Sequence, residues 1–192
     1  MPDTTSIKSG LRRQLLADRH AIAAEVRQAW DKAIGERVLA WWRTNPAVTL
    51  GIYWPIRGEP DLRAAYDELA RQGVQLALPK VMNRDAPLHF ATWKPGDALV
   101  RDAHGVPVPQ HQGIPARPDA LLIPCVGFNT DHIRLGYGGG FYDRTLAVEP
   151  RPLAVGIAYA SSLADFAGEA HDIPLDDVIT ECSPPTFAPL SL

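Results

Sequence analysis

Residues 48–81 read VTLGIYWPIRGEPDLRAAYDELARQGVQLALPKV, with an amphipathic stretch, DLRAAYDELARQG, set between two short apolar runs, VTLGIYW and VQLALPKV. The outer runs have strand length and are too continuously apolar to leave one face wet, the pattern of strands buried on both sides. The middle stretch reads as a helix, with Asp61 as a candidate cap and Gly73 at its end. Strand, helix, strand at this spacing predicts a right-handed parallel crossover.

The same texture continues downstream in LHFATW (88–93), ALLIPCVGF (120–128) and PLAVGIAYA (152–160). Upstream the period changes to that of helices. Thr4, Thr5 and Ser6 are candidate caps for a helix from about Ile7, with Ile7, Leu11, Leu15 and Ile22 as its apolar stripe. Lys8 and Arg12 lie four apart on a neighbouring face of it. A second helical pattern runs through Val26, Trp30, Ile34, Val38 and Trp41 and stops near Asn45-Pro46. Residues 103–119 hold four of the 18 prolines and read as an extended loop. The expected fold is α/β: an open, mainly parallel sheet with helices on both faces, a Rossmann-like three-layer sandwich. No linker or repeat divides the chain, so residues 1–192 read as one domain.

Composition narrows the function. Hydrophobic residues make up 46% and charged residues 21% of the 192, an ordinary mix for a soluble globular protein. A net charge of −3 offers no general basic field for nucleic acid. The longest nearly apolar run, ALLIPCVGF, is too short to span a bilayer, and the N-terminal residues lack the apolar core of a signal peptide. The two cysteines, Cys125 and Cys182, have no metal-like spacing, which fits a reducing, cytoplasmic setting. Cys125 reads as a small buried hydrophobe, and His20, His89, His104 and His111 show no ligand spacing.

After ALLIPCVGF comes IRLGYGGGFYDR (133–144), in which Gly136, Gly138, Gly139 and Gly140 fall within five residues before a helical pattern, FYDRTLAVE. Loop amides beside a helix start can hold an anion at the carboxyl end of a sheet; a tight turn needing positive φ is the competing reading. Arg134 and Arg144 favour phosphate, since guanidinium groups bind it bidentately. Asp143 reads either as a magnesium ligand beside the phosphate or as a helix first-turn acid.

RLGYGGGFYDR resembles the signature of the 5-formyltetrahydrofolate cyclo-ligase family, also called methenyltetrahydrofolate synthetases. The resemblance extends along nearly the whole chain: Lys8, Leu11-Arg12, IYWPIRGEPDL, Leu78-Pro79, LLIPCVGF, HDIPLD and Thr180-Glu181 occur in the family's order. It implies an ATP- and magnesium-dependent enzyme that closes 5-formyltetrahydrofolate, with or without a polyglutamate tail, to 5,10-methenyltetrahydrofolate, releasing ADP and phosphate. It also implies a cytoplasmic monomer or weak dimer. By the same resemblance, Lys8 and Arg12 are ATP-phosphate ligands, against a solvated basic helix face as the plainer reading. Arg134 and the backbone of Leu135, Gly136, Tyr137, Gly138, Gly139, Gly140, Phe141 and Tyr142 form the nucleotide loop, whose later part, from Tyr137 to Phe141, also touches the pterin. Asp143 and Asp172 are implied metal ligands, Glu59 the acid on the polar edge of the pterin, and Trp54 a wall of the folate pocket. Arg134, Tyr142 and Asp143 are the catalytic candidates, and His171 a neighbour of Asp172.

Three positions depart from the family pattern: Asn129 stands in place of an Asp, His132 in place of a Gly, and Val108 in place of an acid. Asp131 is a candidate replacement for the first of these. Two other readings stay open, the first of them because of these departures. One is a non-catalytic folate-binding paralogue, the other a sugar-phosphate isomerase or CoA-transferase-like enzyme on a similar fold.

Overall fold

The computed structural model describes residues 4–102, 105–110 and 113–182, with the side chains of residues 4–6 left aside. His104 and His111 therefore lie outside the described residues.

The crossover deduced from residues 48–81 is present. β1 (Thr49–Gly51), α3 (Arg63–Arg71) and β2 (Gln75–Lys80) follow in order, and β1 pairs in parallel with β2, Leu50 against Leu76. Asp61 sits one residue before the cap position, held by Leu62, yet its carboxylate accepts the Arg63 amide at 3.1 Å. Gly73, at φ +88°, ends the turn. On the other side β1 pairs in parallel with β7 (Ala120–Pro124), which continues to β10 (Leu153–Ile157) and β11 (Asp177–Ile179), both also parallel.

β3 (His89–Trp93) runs antiparallel to β2, and β6 (Pro115–Ala116) pairs antiparallel with β3, giving the order β11-β10-β7-β1-β2-β3-β6. The connection from Lys80 to His89 is too short for a parallel crossover, which needs a dozen or more residues. Residues 103–119 are not wholly loop. β5 (Pro107–Pro109) pairs with β4 (Leu99–Arg101), and β6 supplies a sheet edge, where a proline's missing N–H costs least. β8 (Gly127–Phe128) and β9 (Arg134–Leu135) form a small antiparallel ribbon leading into the glycine loop and α4 (Phe141–Leu146).

Strand alternation splits the core in two. Leu50, Ile52, Leu76, Leu78, Leu122, Val155 and Ile157 face α2 (Ala24–Thr44) and α3 through Ile34, Val38, Tyr66 and Leu69. Ala77, Leu121, Ile123 and Ala154 face the other way, towards Leu146 of α4 and Leu175. The sheet is thus mainly parallel with helices on both faces.

α1 (Thr4–Ala21) departs from the expected pattern. It is already helical at Thr4, so the candidate caps lie within it, and Ile7 is 52% exposed. Its buried face carries Lys8, Leu15 and Arg19, with Leu11 and Arg12 half-buried. Leu15 packs on Val126, Leu135 and Phe166, a small cluster separate from the main core. No helix among the described residues is long and apolar enough to cross a membrane.

Candidate active site

The chain leaves β1 towards β2 on one side, while β7 lies on its other side. This reversal of strand order opens a crevice at the carboxyl ends of β1 and β7. A cavity of about 510 Å³ occupies it. Its walls come mainly from α1, the segment after β1, the loop 134–143 and the segment 169–172, with Pro79, Val81, Leu88, Val106 and Pro124 adding to them. The residues that the family resemblance assigned to the site all line it, from Lys8 and Arg12 through Trp54 and Glu59 to Asp143 and Asp172.

At one end cations and carboxylates pair. Lys8, 6% exposed, donates to Asp172 Oδ2 at 2.9 Å and lies 3.4 Å from Glu169. The Asp172 carboxyl is opposed by burial, but the Glu169 amide and the Lys8 ammonium outweigh that and hold it below its ordinary range. The buried Arg134 guanidinium forms an ion pair with Asp143 and donates to the Ile173 carbonyl at 2.7 Å. Asp143 Oδ1 also accepts the Ile173 amide at 3.1 Å. Arg12 reaches across from α1, its Nε donating to the Gly136 carbonyl at 2.7 Å. The helix-face reading of Lys8 and Arg12 therefore fails: both point inward at the loop and its acids.

Within the loop, Gly138 and Gly140 take φ of +89° and +64°, where other residues are strained. Gly136 needs no such angle, and a Cβ there would meet open space beside the cavity. The Leu135 side chain belongs to the core, so only its backbone serves the loop. Tyr142 lies between the cavity and the core cluster beneath α4, and burial raises its hydroxyl pKa.

At the other end stands Glu59, 4% exposed, accepting the Tyr137 hydroxyl on Oε1 at 2.7 Å and the Ile56 amide on Oε2 at 2.9 Å. Burial pushes its carboxyl up to about 7, against the pull of those two donors and of Arg19 and Arg57. Trp54 lies beside it, edge-on to Trp93 with ring centroids 5.8 Å apart.

Several expectations are corrected. Arg144 does not line the cavity. It braces the loop by donating to the Gly139 carbonyl at 2.7 Å and to those of Arg84 and Ala86, with its guanidinium over the Phe141 ring. Asp131 is exposed and away from the cavity, so it replaces no acid there. Asn129 is buried in a turn, accepting the Asp131 and Ile133 amides and donating to Phe166 O at 2.9 Å, a donor an Asp would lack. His132 adopts φ 59°, the angle that suits the glycine it replaces. Val108 is buried in β5 outside the cavity lining. None of the three departures therefore removes a group from the site.

Arg19 was missed. Buried at 3% exposure, it donates to the Cys125 carbonyl, to Val126 O at 3.3 Å and to the Tyr137 hydroxyl at 3.3 Å. Its spacing of eleven residues from Lys8 and four from Leu15, on one helical face, is the signal that could have found it.

A crevice at a strand-order reversal, with paired cations and acids at one end and a buried carboxylate at the other, is a site suited to an α/β enzyme of polar, charged small molecules. The sequence profile of the 5-formyltetrahydrofolate cyclo-ligase family matches residues 4–181. The chain belongs to that family, and with it to the ring-forming ligases. The 5-formyltetrahydrofolate cyclo-ligase of Mycolicibacterium smegmatis is 31% identical over 187 residues, covering 90% of this chain and 93% of the relative. That of Escherichia coli K12 is 31% identical over 170 residues, 84% of this chain and 93% of the relative. Among solved structures, the 5,10-methenyltetrahydrofolate synthetase of Aquifex aeolicus superposes with a TM-score of 0.79 at 29% identity, over 93% of this chain and 91% of that one. The synthetase of Mycoplasma pneumoniae gives 0.74 at 28% identity, over 91% and 98%.

Proposed function

We propose that this cavity closes 5-formyltetrahydrofolate to 5,10-methenyltetrahydrofolate with conversion of ATP to ADP and phosphate. The observation that carries the reading is one cavity lined by Lys8, Arg12, Arg134 and the glycine loop, groups that suit phosphate, together with Glu59 and Trp54, groups that suit a pterin. The formyl oxygen is a poor leaving group until phosphorylated. The enzyme's task is therefore to hold that oxygen in line with the γ-phosphate and to offset charge, rather than to supply a nucleophile. Once the formyl oxygen carries the phosphoryl group, the neighbouring nitrogen attacks the formyl carbon, loses its proton to the departing phosphate or solvent, and phosphate leaves with that oxygen.

The chain's groups suit these roles. Lys8, Arg12 and Arg134 neutralise phosphate oxygens, while loop amides from Leu135 to Tyr142 position them. Glu59, with each oxygen already accepting one protein donor, keeps a lone pair on each for the adjacent N–H groups of a pterin. Tyr142 and Phe141 line the same cavity.

Asp143 and Asp172 fit a magnesium ion that enters with the nucleotide. Each commits one oxygen to a cation and a backbone amide, and among the described residues no group of three or more acids, histidines or cysteines could hold a metal alone. Magnesium commonly takes one or two carboxylates plus phosphate oxygens and water. When bound it would supply neutralisation of charge on the transferring phosphoryl group.

The test is the appearance of the methenyl chromophore from 5-formyltetrahydrofolate. It should require both ATP and magnesium; turnover without nucleotide would favour an isomerase- or transferase-like activity, and tight folate binding without turnover a binding paralogue.

A further inference from the structure

Arg19, buried and outside the cavity lining, joins three segments of the chain behind it. From α1 it holds the Cys125 and Val126 carbonyls just past β7, and its NH1 donates to the Tyr137 hydroxyl of the glycine loop. Tyr137 in turn donates to Glu59 Oε1, in the segment after β1. With Glu59 ionised, the order of donation has one solution. Guanidinium has no acceptor, so the Tyr137 oxygen accepts from Arg19 and its own proton points at Glu59. Glu59 is thereby addressed as an acceptor, the state in which a carboxylate can receive two N–H groups from a ligand.

We propose that Arg19 is a positioning residue for the pterin end of the site, acting through Tyr137 to keep Glu59 an ionised acceptor. This rests on the reading of Glu59 as the group that receives the pterin.

The surroundings of Glu59 make it the group that responds. Arg19 of α1 and Arg57 of its own segment favour its charge, against a larger opposing effect of burial. The other groups that interact with it are Tyr53 of its own segment, Tyr66 of α3, Tyr137 and Tyr142 of the loop and α4, and Cys125 after β7. Burial raises all five, the thiol to about 11, so none of these neighbours changes charge between pH 6 and about 9. Glu59, lifted to about 7, does.

The experiment measures 5-formyltetrahydrofolate affinity by calorimetry from about pH 6 to 9, without nucleotide, for the wild type, Arg19→Met, Arg19→Lys, Tyr137→Phe and the Arg19→Met/Tyr137→Phe double variant. MgATP affinity is measured alongside. Arg19→Met should weaken folate binding about tenfold at neutral pH, the order expected for one charged hydrogen-bond partner. Most of that loss should vanish at the alkaline end, because the pH above which folate binds moves up by about one unit. Arg19→Lys keeps the charge without the fork and should recover part of the loss. MgATP affinity should change less than folate affinity, and Arg19→Met should add little in the Tyr137→Phe background.

A loss that is the same at every pH, that falls equally on MgATP, or that is additive with Tyr137→Phe would reduce Arg19 to a structural brace and overturn the proposal. If Arg19→Met does not fold, Tyr137→Phe decides alone: it must raise the pH dependence of folate binding, and an unshifted profile overturns the proposal. Glu59→Gln separates the two levels. Normal folate binding in that variant would remove the reading of Glu59 and this proposal with it. Impaired binding there, with a pH-independent loss in Arg19→Met, would remove Arg19 only.

Discussion

Glu59 is enclosed so well that burial outweighs its two hydrogen-bond donors and two nearby guanidiniums, and its carboxyl rises from 4.5 to about 7. A group that binds its proton more tightly folded than unfolded stabilises the fold fully below its unfolded pKa and loses that stabilisation as pH rises through the folded value. The window here is about pH 4.5 to 7, and the rise corresponds to roughly 3 kcal/mol. Ligand-free protein should therefore lose stability to urea between pH 5 and pH 8. Glu59→Gln, which keeps the shape and cannot ionise, should lose about 2–3 kcal/mol less over that range; parallel curves for the two proteins would refute the buried-charge argument. The same variant should weaken folate binding while leaving ATP affinity nearly unchanged. Asp143 is a different case, because it neutralises the buried Arg134. Asp143→Asn should abolish most turnover and also cost about 1–3 kcal/mol of stability through the weakened partner, measured by the cyclisation assay and by circular dichroism on melting. A variant with normal turnover at limiting magnesium would take Asp143 out of the metal site. The acids Glu59, Asp143 and Asp172 that line the cavity were legible because they stand in the glycine-loop signature or in short runs such as HDIPLD. Arg19 was not, since a lone arginine on an amphipathic helix reads as solvent-facing. Its burial depends on Cys125, Val126 and Tyr137, more than 100 residues away.

α1 is held by a small cluster around Leu15 and by polar contacts of Lys8, Arg12 and Arg19, rather than by the main core. An element with few apolar contacts sits at the low end of local stability. Ligands that tie its cations should stabilise it most. Nucleotide should therefore slow amide exchange in residues 8–19 more than in the strands. Arg12→Ala should weaken nucleotide binding by about 2–3 kcal/mol, with Arg12→Lys restoring part, because an ammonium lacks the planar two-point contact. Unchanged ATP affinity in Arg12→Ala, without protection of α1, would detach the helix from the phosphate site. At this scale the parallel strands and α3 were readable, since continuous apolar runs and an amphipathic insert follow from burial on both faces. The apolar stripe read on α1 holds at Leu11 and Leu15 and fails at Ile7: the inner face also carries Lys8 and Arg19, so counting apolar residues caught only part of that face. The short strands within residues 105–116 escaped for another reason. Proline suppresses the strand signal, yet an edge strand needs only half its hydrogen-bonding groups.

The walls of the cavity come from stretches of chain spread between Lys8 and Asp172, so a ligand filling it cross-links most of the fold. If residues 1–192 form one cooperative domain, thermal unfolding should be a single transition, and each ligand should shift all of it. At a hundredfold excess over its dissociation constant, a ligand contributes about 2.7 kcal/mol. For a chain of this size that is a rise in Tm of roughly 5–10 °C. The charge arrangement adds a sharper expectation. In the ligand-free site Lys8 is paired with Asp172 and Arg134 with Asp143, so the phosphate end is already balanced. ATP without metal would have to draw the two cations away and leave two carboxylates facing its own negative charge. ATP with magnesium would exchange partners, the cations turning to phosphate and the carboxylates to the metal, with no charge left facing its like. MgATP should accordingly raise Tm by several degrees where the same concentration of ATP in a chelator gives a much smaller rise, an affinity ratio of about tenfold or more. The asymmetry should shrink in Asp143→Asn and in Asp172→Asn, since each removes a carboxylate that metal-free ATP must face. Equal shifts with and without magnesium in the wild type would show that the two ion pairs do not gate the nucleotide, and would return Asp143 and Asp172 to a structural role.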